Sequence, residues 1–135
     1  MESTELMIND LVKDDHDNII RVEELLYFGI NGEWDGDECY GANAVYELLS
    51  PIPLDDRILD LNFKKENNTW ILKKDIDDYG YITKNKKTMD ESKRYKFSMF
   101  FNVGTSELYV NHVHELQHIL RLAGFPDYAD NFRTE

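Results

Sequence analysis

Residues 110–124 read VNHVHELQHILRLAG, and their spacing decides the fold. At about 100° per residue, Val113, Leu116, Ile119, Leu120 and Ala123 fall on one arc of a helix. His114, Gln117, His118 and Arg121 fall on the opposite arc. The pattern predicts an amphipathic helix with one packed stripe and one solvated face. Gly124 supplies its stop, and Pro126 beyond it cannot continue the helix. An apolar stripe of this kind must be covered, and the helix is expected to pack on a sheet.

The upstream segments supply strands. Residues 94–103, RYKFSMFFNV, alternate, with Tyr95, Phe97, Met99 and Phe101 on one face. Gly104, Thr105 and Ser106 are expected to turn the chain, and residues 107–110 either extend a strand or lead into the helix. Residues 63–65 and 69–73 flank Glu66-Asn67-Asn68, a hairpin turn. Residues 74–93 are charged and turn-rich. Pro51 and Pro53 punctuate the chain, and the acids Asp55 and Asp56 suit the positive end of a short helix over residues 54–61. Residues 6–30 are short β-rich runs split by polar residues 13–18, which reads as a meander or hairpin; a helix around residues 23–28 is the less favoured alternative. Residues 31–41 form a loop or irregular hairpin, and residues 42–49 a strand or short helix. The expected fold is α+β: a small antiparallel sheet or partly rolled barrel, a short middle helix, and a C-terminal helix packed on the sheet. A single domain is expected over residues 1–135, with an acidic β-rich half (1–50) followed by helix, hairpin, strand and helix (51–125).

The chain of 135 residues is 41% hydrophobic and 31% charged, which predicts a folded core, not disorder. Its net charge is -12. Residues 1–62 hold 16 Asp and Glu against 3 Lys and Arg; residues 63–135 hold 11 against 12. This balance argues against general nucleic-acid binding and against an anionic membrane surface. It favours a cationic partner, although the same charge also serves solubility alone. The lone Cys39 allows no internal disulfide, which fits a reducing cytosol. Residues 1–10 lack a basic start and a long apolar run, so no signal peptide is expected there. A cytoplasmic location follows as an expectation.

Several groups of residues bear on chemistry. His114-Glu115-Leu116-Gln117-His118 matches the H-E-x-x-H pattern of zinc hydrolases. Imidazoles at i and i+4 share one helix face, and the intervening Glu115 can act as general base on metal-bound water. Asp127 or Asp130 would be the third ligand. No longer metzincin pattern follows, and two histidines on a solvated face are the simpler reading. No cofactor is therefore expected. Residues 75–82, DIDDYGYI, resemble the start of a calcium loop, but Tyr79 replaces an oxygen ligand and Lys86 stands where a bidentate Glu belongs; a β-turn is expected instead. Trp34, Asp35, Asp37, Glu38 and Tyr40 combine carboxylates with aromatic rings, a composition suited to anchoring a protein partner. Asp14, Asp15 and Asp17 are further contact candidates, or simply turn residues. Cys39 has no evident catalytic companions, and Asn67-Asn68-Thr69 is a glycosylation sequon in form only.

Three blocks resemble a group of small uncharacterised proteins of Bacteroidota-type bacteria and their phages. Ile8-Asn9-Asp10-Leu11-Val12 through Asn18-Ile19-Ile20-Arg21-Val22 is similar to the group's opening "IGNxVxxxxGxIxxV". Pro51-Ile52-Pro53-Leu54-Asp55-Asp56-Arg57-Ile58-Leu59 with Phe63 is similar to "EPIPLTEExLxxxGF". Tyr109-Val110 with His114-Glu115-Leu116-Gln117-His118 is similar to "YVHQLQNLYxALTG", Gly124 matching the last glycine. The blocks touch about half the chain. This chain departs by an insertion of Asn111-His112 before the helix and by a longer charged segment at 74–94. The group carries no settled activity, so the resemblance assigns no functional residue. It implies that the same helix exists with Gln and Asn where this chain has Glu115 and His118, and hence without a metal.

The expected function is that of a non-enzymatic phage or prophage protein. Its acidic surface would bind and inhibit a basic host defence protein, in the manner of an anti-CRISPR inhibitor of a CRISPR nuclease. The alternatives are a zinc metallohydrolase and an adaptor domain.

Overall fold

The computed structural model describes residues 1–34, 41–73, 79–84, 94–101 and 104–135. Among the described residues, two antiparallel sheets, three α-helices and two single-turn 3-10 helices make an α+β fold. The first sheet is curled into a half-barrel of four strands in chain order: β1 (Leu11–Lys13), β2 (Ile19–Leu25), β3 (Gly29–Trp34) and β4 (Gly41–Val45). Helix α1 (Asp56–Asn62) follows, then a five-stranded meander of β5 (Lys64–Glu66), β6 (Thr69–Lys73), β7 (Tyr79–Lys84), β8 (Tyr95–Phe101) and β9 (Gly104–Val110). Helices α2 (Val113–Leu122) and α3 (Pro126–Asp130) complete the chain.

Local chemistry explains most boundaries. Asp55 caps α1 by accepting from Ile58 N at 2.8 Å, so the helix starts two residues later than Pro53-Leu54 suggests. Leu54 precedes the cap, donating its N–H to Asn111 O at 2.8 Å and burying its side chain in the core. Asn67 and Asn68 both take left-handed backbone angles, φ 51° and 64°, which is what a two-residue turn between β5 and β6 requires of its central pair. The residues read as turn-rich at 74–93 include strand β7. Gly80 lies within it, opposite Met99, and a Cβ there would come within 3.3 Å of the Phe97 ring. The glycine therefore serves close packing of strands, not the sharp turn of a calcium loop; Asp75 and Asp77 lie outside the described residues. Gly104 opens β9 and pairs with Phe101, so residues 104–106 belong to a strand and not to a turn.

The core has two parts. The larger lies between the second sheet and the helices and contains Trp70, Tyr95, Phe97, Leu116, Leu120 and Phe132. The smaller fills the curl of the first sheet with Val12, Ile20, Val22, Ile30 and Leu49. Strand β1 joins them, since its alternation sends Leu11 into one and Val12 into the other. Polar anchors fix α1 on the second sheet: Trp70 Nε1 donates to Asp60 at 2.8 Å, and Tyr95 OH donates to Asp56 at 2.7 Å. The Tyr95 hydrogen bond holds the Asp56 carboxyl below its ordinary range, helped by Lys84 and opposed by partial burial. Beyond α2, the chain turns at Gly124 (φ 90°) and returns through α3, burying Ala129 and Phe132. Pro126 thus starts a further helix, which the reading of Gly124-Pro126 as a stop does not anticipate.

Candidate functional site

The H-E-x-x-H helix is the place to begin. Leu54 N donates to Asn111 O, and Val113 N donates to Ile52 O at 2.9 Å, so the segment after Pro51 clamps the start of α2. Val113, Leu116 and Leu120 are buried, as the periodicity predicts. The opposite arc is not a solvated face. His114 is only 7% exposed and Gln117 is completely buried. The reason is tertiary: residues 6–11 and helix α3 lie against that side of α2, so both faces of the helix are covered.

The polar residues there form a connected set. Gln117 Oε1 accepts from Leu11 N at 2.8 Å, and its Nε2 donates to Asn9 O and Ala129 O, both at 2.9 Å. Asp10 is also completely buried. Its carboxylate accepts from Met7 N at 2.8 Å and from Arg121 Nη1 at 2.7 Å, and meets His118 Nε2 at 2.5 Å. Sequence reading missed Asp10 as a site residue. The only local signal was a carboxylate immediately before the apolar pair Leu11-Val12.

The candidate zinc ligands each face other side chains. The His114 and His118 rings meet edge to face with centroids 5.7 Å apart, and His112 stacks on His114 at 6.0 Å. His118 Nε2 is occupied by Asp10, and Glu115 is turned to His112 Nδ1. Asp130 is engaged by Arg121 Nε at 3.3 Å, while Asp127 lines a separate hollow of about 260 Å³ with Leu61 and Tyr128. Among the described residues, no three His, Cys, Asp or Glu side chains converge as a metal-holding group. The three histidines, Glu115, Glu5 and Met1 line an open cleft of about 620 Å³. The Asp10–His118 pair has the carboxylate–imidazole form of a general base, but among the described residues neither His114 nor His118 is bonded to a hydroxyl or thiol that it would activate.

Burial lowers the His114 pKa; Asp10 and Glu115 oppose this, and His118 and His112 add to it. Its Nδ1 is buried without a partner. The folded chain therefore takes up this proton less readily than the unfolded chain, whose imidazole titrates near 6.5. The contribution of neutral His114 to stability is present above that value and lost as the pH falls below it. Urea unfolding at pH 7.5 and pH 5.5 should show a falling midpoint on acidification, and the fall should be smaller in His114→Leu. An equal fall in both proteins would assign the effect to other groups.

The acidic candidates divide. Asp14 is a turn residue: its carboxylate accepts from His16 N and Asn18 N, each at 2.9 Å. Partial burial raises its pKa, but these bonds and the Asn18 side chain more than offset that, and the net shift is downward. Asp17 adopts φ 62° in the same turn and lies 3.7 Å from Lys13 Nζ, and Asp15 lies 3.8 Å from His16 Nε2. Asp35, Asp37, Glu38, Cys39 and Tyr40 lie outside the described residues, as does the side chain of Trp34.

A different surface stands out on the first sheet. Leu26 N donates to Gly29 O at 2.8 Å, closing a tight hairpin between β2 and β3 with Tyr27 and Phe28 at its apex. Tyr27 is 101% exposed and Phe28 66%. Leu25, Val45 and Leu48 are exposed beside them. Glu23 sits at a bulge in β2, and partial desolvation together with the nearby Glu33 carboxyl raises its pKa. The sequence carries one signal for this surface: the pair at the apex is aromatic where hairpins favour Asn and Gly. Among the described residues no helix is long and apolar enough to cross a membrane. No family model, curated protein or solved structure matches this chain.

Proposed function

We propose that this chain is a non-enzymatic binding protein that engages a basic, nucleic-acid-binding host defence protein and blocks it, as an anti-CRISPR inhibitor blocks a CRISPR nuclease. The observation that carries the reading is the fate of the carboxylates. Asp10 is paired internally with Arg121 and His118, but Glu23, Glu24, Glu33 and Glu47 stay exposed. These exposed acids belong to the half of the chain that carries the charge excess. An acidic face of this kind competes with phosphates for a basic groove and steers encounter with it. The narrower identity of the partner rests on that charge and on the resemblance to phage-associated proteins.

The zinc-hydrolase reading receives less support, because Glu115 is bonded to His112 and His118 Nε2 to Asp10. The test is direct. Purified chain in excess should slow target cleavage by CRISPR nucleases of bacteria that host such phages, and affinity should fall as salt rises from about 50 to 300 mM. Unimpaired cleavage across the panel, or hydrolase activity abolished by His118→Ala, would overturn the proposal.

A further inference from the structure

We infer that the β2–β3 hairpin apex is the contact element, inserting Tyr27 and Phe28 into an apolar slot on the partner whose rim is lined with Lys and Arg. This rests on the proposed reading of the chain as an acidic binder and names the surface that performs it.

The apex pays twice for its aromatic pair: neither residue adopts the positive φ that the favoured hairpin turns use, and both rings are left in water. Neither ring belongs to either core cluster, so packing within the chain does not account for them. The apex is nevertheless held firmly. Tyr46 OH donates to Leu26 O at 2.5 Å, and Tyr46 N donates to Phe28 O at 3.3 Å. A rigid turn presenting large rings at little conformational cost is what an interface anchor requires.

Charge selects the occupant. Glu23 and Glu24 precede the apex on β2, Glu33 faces Glu23 from β3, and Glu47 lies on the turn Tyr46–Leu48 that braces it. A second copy of the chain would bring these carboxylates against themselves. An anionic membrane would meet the same repulsion. A protein slot with a basic rim would bury the rings and relieve the mutual repulsion of Glu23 and Glu33.

The probe is a short amphipathic helical peptide of lysine and leucine, titrated into isotopically labelled full-length chain and followed by amide chemical shifts. Shifts should centre on residues 23–30 and 44–48. Affinity should fall at least about tenfold in Tyr27→Ser/Phe28→Ser and about as far for an all-lysine peptide. Both rings are exposed, so the variant should melt with the wild type; Tyr27→Ser alone serves if it does not. Shifts centred elsewhere, a variant that binds within about twofold of wild type, or self-association through the apex by sedimentation would each overturn the inference. The two readings separate cleanly. Peptide capture at the apex without nuclease inhibition removes the defence-protein reading and leaves the apex standing. Nuclease inhibition that survives the double substitution does the reverse.

Discussion

Replacing Asp10 by alanine should destabilise the fold by about 3–5 kcal/mol, the range for removing one partner of a buried ion pair. Asp10 is wholly buried and serves Arg121, His118 and the Met7 amide at once. Without it the Arg121 guanidinium stays in the interior with Asp130 as its remaining carboxylate, at 3.3 Å. Its Nη2 already lacks a partner, so there is no slack in the arrangement. The charge cannot escape by losing its proton, because arginine remains protonated. Asp10→Asn keeps the shape and some of the acceptors but not the charge, and should fall between wild type and Asp10→Ala. Denaturant unfolding monitored by circular dichroism measures this. A loss below about 1 kcal/mol, typical of an exposed pair, would mean that the network is solvated and not structural.

Gln117→Ala should cost about 1–3 kcal/mol, because it strands the buried Leu11 amide, and an unsatisfied buried group costs about that much. The Asn9 and Ala129 carbonyls lose Gln117 Nε2 as well, but Arg21 Nη1 still donates to Asn9 O at 3.3 Å and Phe132 N to Ala129 O at 3.4 Å. No other side-chain amide in the chain bridges the first sheet, α2 and α3 together among the described residues. Gln117→Glu is the informative companion. It retains one acceptor for Leu11 N but replaces a donor by a negative charge facing two carbonyls, so it should be at least as damaging as alanine. If Gln117→Leu proves neutral in the same unfolding experiment, apolar packing and not hydrogen bonding governs this position.

Both predictions concern contacts made by the arc of α2 that helical periodicity assigns to solvent. The 3.6-residue repeat locates the stripe Val113, Leu116 and Leu120 correctly, because an apolar arc must be covered by something. It does not reveal that the other arc is covered too. That fact depends on Leu11, which lies 106 positions from Gln117 along the chain, and on α3, which begins only after Pro126. A similar limit applies to the zinc pattern. The spacing of His114 and His118 puts their rings near each other, but only the fold brings Asp10 to His118 and turns Glu115 toward His112.

What the sequence determined by itself is local: the Asn67-Asn68 turn, the Asp55 cap, the alternation of β8, the apolar arc of α2 and the acidic bias of residues 1–62. Each follows from backbone preferences or from side-chain periods that act over a few residues. The tertiary structure alone decided which polar groups are consumed inside and which rings are left outside. It spent Asp10 and Gln117 on joining the first sheet to the terminal helices, and it left Tyr27 and Phe28 uncovered at a hairpin apex. Burial and pairing are properties of surfaces that meet across the chain, and no local pattern of residues encodes which surfaces those are.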